Sequence, residues 1–369
     1  MKKMIFKIIK ILIIIAVIVI MTAGLILWLW KPFGSTPSKE LQEEYAKRTE
    51  YFYDGIFHQM EEFSVLTDYE GEESVASKNQ YPTDQIPVDK ISEFPSVKEG
   101  EWNVTWFGHS TVMLQIDDKK IFIDPMLSEY SSPIQAFYGK RMAELPMDAE
   151  DIPEVDVVVF SHDHYDHLDY NTIKKIDSKV KEYIVPLGVD QHLIRWGVDE
   201  NKIHTVAWWD EIEVSGITFT STPAQHYSGR LPWRNNTTLF GGYVMQKDGQ
   251  QIYYTGDTGY AEFFKDINER FGKMDLVIME NGQYDKMWAD CHMMPEEGVE
   301  AAKILQADVV LPVHWAGFVL SNHSWKEPIE RYTNEAEKEQ ISVITPQIGE
   351  SVGKNDIAEH MNKWWENLN

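Results

Sequence analysis

The stretch that decides the fold is Ser161-His162-Asp163-His164-Tyr165-Asp166-His167, which follows directly on the apolar run Val155–Phe160. The apolar run has the length and β-branched composition of a buried strand. In the extended loop that follows, the alternate residues His162 and His164 can point to one metal ion, while Asp166 and His167 can turn toward a second. Imidazole and carboxylate form a donor set that favours zinc. The competing interpretation is a polar loop that happens to be rich in histidine.

Further candidate ligands lie in the same structural context, each just beyond a predicted strand. Side chains at the same end of several strands of a layered α/β fold can converge on one cleft. An isolated His or Asp at a strand end is more often a surface residue, so the prediction depends on the combination. The combined set supplies enough ligands for two zinc ions: His162, His164, Asp166, His167, His226, Asp257 and His314.

Composition narrows the class of protein. A chain of 369 residues is long enough for one large domain or two small ones with a sizeable core. The formal net charge of −25 argues against a nucleic-acid surface, which would need basic patches. The single cysteine, Cys291, excludes an internal disulfide framework.

The N-terminus is far more apolar than the rest of the chain. An uncharged run from Ile11 to Trp30 follows four lysines, and as a helix it would span roughly 30 Å, about one hydrocarbon core. A cleaved signal peptide is the competing interpretation, with a weak cleavage site at Thr22-Ala23-Gly24. Because the apolar run continues past that site, we favour an uncleaved transmembrane helix. The lysines before the span predict a single-pass protein of the cell membrane with its catalytic domain outside. Basic residues beyond the span weaken this orientation: Lys31, Lys39, Lys47 and Arg48.

The chain divides into four predicted parts. Residues 1–31 are a membrane anchor, and 32–100 are a polar tether and N-terminal extension that partly wraps the body. Residues 101–349 are the hydrolase domain, and 350–369 are a C-terminal segment in which Trp364-Trp365 packs on the body. Within the domain, β-rich units interleave with helices, which predicts an α/β fold with helix, sheet, sheet, helix layers. A short helix is expected within Ser38–Tyr53, a hairpin around Asp248-Gly249, and the last strand at Ser342–Ile344.

Several motifs together resemble those of the metallo-β-lactamase superfamily. Those motifs are Ser161–His167 with Leu168-Asp169, Gln225-His226, Thr255–Tyr260 and Val313-His314-Trp315. Three further stretches resemble the N-acylphosphatidylethanolamine phospholipase D branch: Thr105–Thr111, Trp208–Glu211 and His292–Glu297. The likeness runs from about Trp102 to Gly349.

The resemblance implies an αββα sandwich, the metallo-β-lactamase fold, with the site at one edge. It assigns His162, His164 and His226 to the first zinc, and Asp166, His167 and His314 to the second, with Asp257 bridging both. It also implies that Asp124 orients ligand imidazoles, and it places His109 near the site without a defined role.

The same resemblance implies two catalytic residues, Asp166 and His292. The histidine that matches His292 faces the scissile phosphate in the branch, whereas the competing interpretation is a surface His that caps the following helix. The chain departs from the branch at Glu280-Asn281-Gly282-Gln283-Tyr284, where an apolar residue and a glycine are expected. This departure bears on the substrate and leaves the metal site unaffected.

The predicted function is a membrane-anchored dizinc hydrolase, a phosphodiesterase of phospholipase D type acting on N-acylphosphatidylethanolamine-like lipids. Its partners would be a phospholipid or other phosphodiester and the membrane. Arg230 and Arg234 are weak candidates for phosphate contacts, and a solvated loop is the favoured interpretation for both. Three alternatives stay open: a hydrolase of the same fold acting on a lactone, amide or cyclic nucleotide, a di-iron redox protein, and a non-catalytic zinc binder. The di-iron class would carry glutamate in place of His164, which favours hydrolysis.

Overall fold

The computed structural model describes residues 2–67, 75–135, 139–231 and 235–369. In chain order the helices are α1 (Lys2–Leu29), α2 (Lys39–Arg48), α3 (Tyr170–Ile176), α4 (Asp190–Trp196), α5 (Phe263–Phe271), α6 (Pro295–Ile304) and α7 (Glu327–Glu339). The strands are β1 (Phe52–Tyr53), β2 (Ile56–Phe57), β3 (Trp102–Trp106), β4 (Val112–Ile116), β5 (Lys119–Ile123), β6 (Val155–Val159), β7 (Val180–Pro186), β8 (Ile203–Val206), β9 (Glu211–Val214), β10 (Ile217–Thr222), β11 (Gly242–Lys247), β12 (Gln250–Tyr254), β13 (Leu276–Glu280), β14 (Val310–Val313) and β15 (Ser351–Gly353).

Two large sheets pack face to face. The first has seven strands in the order β15-β3-β4-β5-β6-β7-β8, and the second has six in the order β14-β13-β12-β11-β10-β9. Alternate residues of each strand face the space between the sheets, so that Ile121 and Ile123 join the core there while Phe122 points to the outer face. Because the outer faces are also apolar, each needs a covering layer.

Helices cover both outer faces. Side chains of α3 and α4 pack on the first sheet in one buried cluster, and side chains of α5, α6 and α7 pack on the second sheet in another. The predicted αββα sandwich is therefore confirmed. The polypeptide N-terminal to the domain also contributes buried side chains, among them Tyr45 and Phe57, and Trp365 near the C-terminus is fully buried in the central core.

Parallel pairing brings the functional loops to one edge. Strands β5 and β6 are parallel neighbours in the first sheet, as are β12, β13 and β14 in the second. The carboxyl ends of parallel neighbours meet at the same edge of a sheet, so the loops that follow these five strands lie together. They carry Asp124, the Ser161–His167 loop, Asp257, Asn281 and His314.

Some sequence-based boundaries differ from the structure. The helix expected within Ser38–Tyr53 ends at Arg48, and Phe52–Tyr53 forms β1 instead. The prediction of a last strand at Ser342–Ile344 is wrong, because Val343 makes only an isolated bridge to Val310 and the last strand is β15. The hairpin at Asp248-Gly249 is confirmed; both residues have positive φ, of 48° and 78°, as a two-residue type I′ turn requires.

Helix α1 is the one described helix that is long and apolar enough to cross a membrane. Its apolar part, Met4–Ile26, has a mean hydropathy of 3.0 and is not buried against the described body. A helix of this length and composition fits both the predicted membrane anchor and a signal sequence.

Candidate metal centre

The loop after β6 directs its imidazoles inward. His162 and His167 are buried, with 1% and 0% of their surface exposed, and His164 is half-buried at the wall of a cleft. A short turn closes the loop, since the backbone N–H groups of His167 and Leu168 both donate to His164 O. This turn reverses the chain between His164 and His167, so that the two imidazoles serve different sides of the cleft.

Two groups of predicted ligands lie within coordination reach. Ring nitrogens of His162, His164 and His226 lie within 4.8 Å of one another, and His226 Nε2 is 3.3 Å from His164 Nδ1. In the second group, donor atoms of Asp166, His167 and His314 lie within the same distance of one another, and His109 belongs to that group as well.

Asp257 lies between the two groups. Its Oδ2 atom is 3.0 Å from His167 Nε2 and 3.2 Å from His314 Nε2 on one side. On the other side, the same oxygen is 3.9 Å from His162 Nε2 and 4.0 Å from His226 Nε2. One carboxylate oxygen thus faces all four imidazoles, as a bridging ligand would.

Each of these four imidazoles is held through its Nδ1 atom. His162 Nδ1 is 2.9 Å from Ser161 Oγ, and His314 Nδ1 is 2.8 Å from Ser110 Oγ. His226 Nδ1 donates to the carbonyl oxygen of Cys291 at 3.0 Å. Engagement of one ring nitrogen fixes the orientation of the ring and leaves Nε2 free to bind a metal.

The fourth imidazole is oriented by Asp124, as expected from the sequence. His167 Nδ1 lies 2.7 Å from Asp124 Oδ2, and the same carboxylate accepts hydrogen bonds from Ser161 N–H and from Tyr254 O–H. Asp124 is fully buried at a positive φ of 39°. Ser161, just after β6, and Tyr254, in β12, therefore hold the Asp124 carboxylate, whose interaction with His167 orients that ring.

Among the described residues, the Nε2 atoms of His162, His167 and His314 are buried and make no well-aligned hydrogen bond, although two of them lie within 3.2 Å of Asp257 Oδ2. Buried polar atoms are normally paired, and three such atoms directed at one carboxylate call for a bound cation. The nitrogen and oxygen donors fit zinc or a similar divalent transition metal. The residues present therefore fit the metal that the sequence predicts.

Charge distribution within the cluster also fits a cation. Burial, reinforced for the first two by neighbouring imidazoles, lowers the pKa of His162, His226 and His314 well below the ordinary value of histidine. Burial would raise the pKa of Asp257, but the charges of His167 and His314 hold it well below its usual range. Burial lowers the pKa of His167, yet the charges of Asp257 and Asp166 raise it well above the ordinary value. Three of the imidazoles are thus neutral and Asp257 is ionised, which are the protonation states of metal ligands, and the two carboxylates that favour a positive charge at His167 would equally favour a metal ion.

His292 lies beside the metal cluster and does not cap a helix. Helix α6 begins at Pro295, and its first turn is closed by Glu297, whose Oε2 accepts from Met294 N–H at 2.8 Å. The His292 ring stacks on His314 with centroids 5.3 Å apart and meets His226 edge-on at 5.0 Å. The competing interpretation of His292 as a capping residue is therefore wrong.

Glu280 is a candidate site residue that sequence reasoning missed. It lies fully buried at the end of β13, where its Oε1 pairs with His292 Nδ1 and its Oε2 accepts from Thr258 N–H at 3.1 Å. Burial raises the pKa of Glu280 to about 7. Burial alone would lower the pKa of His292, but the charge of Glu280 raises it above its ordinary value. The sequence feature that could have identified Glu280 is the departure from the family pattern at this position.

A cavity of about 500 Å³ opens onto the cluster. Its lining includes polar residues of the cluster, namely His164, Asp166, Asp257, His292 and His314, and apolar residues that we call the apolar rim, namely Val65, Leu66, Leu231, Trp288 and Leu320. Cavities of this size hold small molecules or part of a lipid. The N-terminal extension therefore contributes directly to the wall of the site.

The structure tests the prediction for only one of the two candidate arginines, Arg230 and Arg234. Arg230 is 4% exposed, and its guanidinium donates to the carbonyl oxygens of Pro32, Asp163 and Leu168. Because it is buried and holds the histidine loop, the interpretation of Arg230 as part of a solvated loop is wrong. Arg234 lies outside the described residues.

Comparisons with known proteins agree with this geometry. The family model described as "Beta-lactamase superfamily domain" matches residues 119–315. An uncharacterized protein of Mycobacterium tuberculosis is 37% identical over 278 residues, which cover 73% of this chain and 74% of the relative. The N-acyl-phosphatidylethanolamine-hydrolyzing phospholipase D 1 of Caenorhabditis elegans is 29% identical over 307 residues, 78% of this chain and 86% of the relative.

Solved structures share the fold. A metallo hydrolase of the archaeon Ignicoccus hospitalis superposes with a TM-score of 0.53 at 21% identity, over 69% of this chain and 98% of that one. The matched family model, the nematode relative and the clustered His and Asp side chains all indicate one assignment. The chain belongs to the β-lactamase superfamily and is a metal-dependent hydrolase of that superfamily.

Proposed function

We propose that the protein is a membrane-anchored dizinc phosphodiesterase that cleaves N-acylphosphatidylethanolamine-like phospholipids in the manner of a phospholipase D. The observation that carries the proposal is the set of four buried imidazoles, each held through Nδ1 and each directing Nε2 at Asp257. A set oriented in this way is what a catalytic metal centre requires.

The ligands divide into two sets. His162, His164 and His226 would hold the first ion, and Asp166, His167 and His314 the second, while Asp257 faces both sets. Histidine and carboxylate donors without a thiolate suit a catalytic zinc site. His164 stands where a di-iron protein of this fold would carry glutamate, which supports hydrolysis over redox chemistry.

The chain's own residues provide the remaining chemistry. When bound, the two ions would lower the pKa of water and neutralise charge on phosphoryl oxygens. His292, oriented by Glu280, faces the same cavity and can donate a hydrogen bond to a phosphoryl oxygen or a proton to the departing alcohol. Asp166 serves the site both as a ligand and through its hydrogen bond with His109.

Two observations support a lipid substrate. The nematode relative is named for hydrolysis of N-acyl-phosphatidylethanolamine, and its similarity covers most of both chains. The cavity is lined both by the apolar rim and by polar residues of the cluster, as an acyl chain and a phosphate together require. A hydrolase of a lactone, amide or cyclic nucleotide is the alternative outcome, because the metal site alone suits all of these.

Helix α1 supports residence in the cell membrane. Its length spans a hydrocarbon core, and Lys2, Lys3, Lys7 and Lys10 precede the span, so we place the N-terminus inside and the catalytic body outside. A cysteine introduced for Asp118, on the exposed β4–β5 turn, tests this orientation in intact cells. It should react with a membrane-impermeant maleimide, whereas failure to react before lysis would reverse the orientation.

The experiment for activity uses the full-length, zinc-loaded protein in vesicles of phosphatidylethanolamine and its N-acyl derivative. We expect release of phosphatidic acid and N-acylethanolamine, measured by mass spectrometry. Chelation of the metal and the substitution His164→Ala should each abolish the release. If the lipids stay intact while a lactone or a cyclic nucleotide is hydrolysed, the lipid substrate is wrong and the alternative replaces it.

A further inference from the structure

The segment directly after helix α1 is fixed to the catalytic body. We call residues 31–35 the junction. Its Lys31 carbonyl accepts a hydrogen bond from Trp196 Nε1 at 2.7 Å, and its Pro32 carbonyl accepts one from Arg230 Nε at 2.9 Å. Phe33 is only 2% exposed. The junction is therefore a packed element of the body, although it immediately follows the apolar helix.

Gly34 and Ser35 complete this attachment at His192. Ser35 N–H donates to His192 Nδ1 at 2.8 Å, which places the proton of the neutral ring on Nε2. Gly34 has φ of +69°, and a Cβ atom there would lie 2.1 Å from His192 Nδ1. Only glycine lets the backbone approach the ring so closely, so the path of the chain at this point is tightly specified.

The same side chains hold the histidine loop. His192 Nε2 lies 3.0 Å from Asp163 Oδ2, and Asp163 stands between the predicted ligands His162 and His164. Arg230 Nη1 donates to the Asp163 carbonyl at 2.6 Å and to the Leu168 carbonyl at 2.9 Å. One layer of side chains thus connects the end of the apolar helix with the loop that carries the site.

A length estimate shows how near the membrane this places the cavity. Trp30 ends the uncharged run Ile11–Trp30 that we take as the span, and it is two residues from Pro32, so the Cα atoms of Trp30 and Pro32 are at most roughly 7 Å apart. The headgroup layer on each side of a bilayer is roughly 5–8 Å thick. Because Arg230 contacts Pro32 and also lines the cavity, one wall of the cavity lies about one headgroup layer from the end of the span.

We propose that the junction is a membrane dock, which seats the apolar rim of the cavity against the surface of the bilayer. A lipid in that leaflet then reaches the site by a short displacement along the rim residues, among them Leu66 and Leu231. The partner of this surface is the bilayer in which α1 is embedded. The proposal rests on the membrane anchor proposed above. It concerns the position of the catalytic body relative to the bilayer, so it can be tested without measuring enzyme activity.

The test measures the depth of single labels in vesicles. An environment-sensitive fluorophore is placed at Leu66→Cys, a rim position that is 64% exposed, and separately at Asp118→Cys, beyond the opposite ends of the strands. The native Cys291 is buried and serves as the unlabelled background. Lipids that carry a spin label on the headgroup should quench the label at position 66 several-fold more strongly than the label at position 118. Equal quenching at the two positions overturns the dock.

A matched pair of glycine substitutions tests the junction itself. Gly34→Ala drives a methyl group into His192 and should reduce the quenching at position 66 toward that at position 118. Gly272→Ala imposes the same backbone strain at φ of +72°, but its Cβ would meet no described atom within 4 Å, so quenching should be unchanged. Quenching that survives Gly34→Ala in protein that melts like the parent would overturn the role of the junction.

Failure of the dock can be told apart from failure of the anchor or of the enzyme. Release of the protein from vesicles by an alkaline wash would overturn the anchor, and the dock with it. Strong quenching at position 66 in protein that hydrolyses no phospholipid would keep the dock and overturn only the substrate. The comparison of positions 66 and 118 in the unaltered junction does not depend on the folding of the Gly34 variant.

Discussion

His109 Nε2 lies 2.8 Å from Asp166 Oδ2, inside the second group of predicted ligands. The His109 ring is fully buried with its centroid 4.3 Å from that of His314, and its backbone has φ of +55°, which is unusual for a residue with a side chain. Two backbone hydrogen bonds with the His314-Trp315 segment hold this conformation. The β3–β4 loop thereby contacts two predicted ligands, Asp166 and His314, and restricts their positions.

We predict that His109→Ala weakens binding at the second metal position by about 10- to 100-fold, the range typical of partners that orient ligands. Loss of the imidazole would leave Asp166 without its hydrogen bond and free to rotate. The measurement is competition for zinc with a chromophoric chelator, which separates a tight from a weak ion.

His204→Ala is the matched control for this prediction. His204 also pairs with a carboxylate, Glu182, at 2.9 Å, but on the partly exposed edge of the first sheet. Its loss should leave both zinc affinities unchanged. Unaltered zinc binding in His109→Ala would show that Asp166 needs no partner to hold its orientation.

The layers of the fold could be predicted from local patterns, but its edges could not. Val155–Val159 and the Asp248-Gly249 hairpin carry short-range signals, and both were recognised. Strand β9 was missed although Glu211 and Glu213 alternate with apolar residues, because a run of four residues gives only a weak signal. Strand β15 has only three residues and pairs with β3, about 250 residues earlier, so no local window contains its partner.

The predicted ligands converge, yet the partners that hold them were only partly visible in the sequence. Asp124 was identified by resemblance to the family, whereas Glu280 and the packing of Arg230 depend on contacts across the fold. The same is true of the rim, because Val65 and Leu66 belong to an extension that has no periodic pattern. Contacts between residues far apart in sequence leave no local signal, which is why these were missed.

Glu280 should act on catalysis by positioning His292. Glu280→Gln keeps the size of the side chain but loses one of two acceptors, since its amide group would face either His292 Nδ1–H or Thr258 N–H. For Glu280→Gln we expect kcat to fall by roughly tenfold to a hundredfold with KM little changed. For His292→Ala we expect kcat to fall by about a hundredfold or more. Steady-state kinetics with a soluble phosphodiester measures both.

The double variant distinguishes positioning from a general loss of stability. If Glu280 acts through His292, the double variant should be no slower than His292→Ala alone, because the two residues work as a unit. Glu297→Gln, in the first turn of α6, is the control and should keep full activity. Multiplicative losses in the double variant would mean that Glu280 acts independently.

Metal removal should destabilise the protein, and His164→Ala should halve the metal content. His164 is half-buried at the wall of the cavity, so its loss should leave the fold intact while the first ion dissociates. A ligand present at a hundredfold its Kd stabilises the folded state by about 2.7 kcal/mol. Chelation should therefore lower Tm by several degrees, and elemental analysis should give two zinc ions in the parent and one in the variant. A parent protein that retains its Tm after complete chelation would contradict a metal centre built into the fold.

Leu66 should determine affinity for lipid without affecting chemistry at the metal cluster. Leu66 is 64% exposed, whereas Asp257 and His314 in the same lining are buried, so Leu66→Ser removes apolar contact with an acyl chain and leaves the polar groups in place. The lost contact is worth ~1 kcal/mol, which corresponds to roughly a fivefold rise in KM for a phospholipid. Kinetic constants for a soluble phosphodiester should stay the same, because such a substrate has no chain to contact the rim.

Val75→Ser is the matched control, since Val75 is 85% exposed and lies outside the residues that line the cavity. An equal loss on both substrates would place Leu66 in the support of the metal cluster, and no loss on either would mean that the acyl chain leaves the cavity by another path.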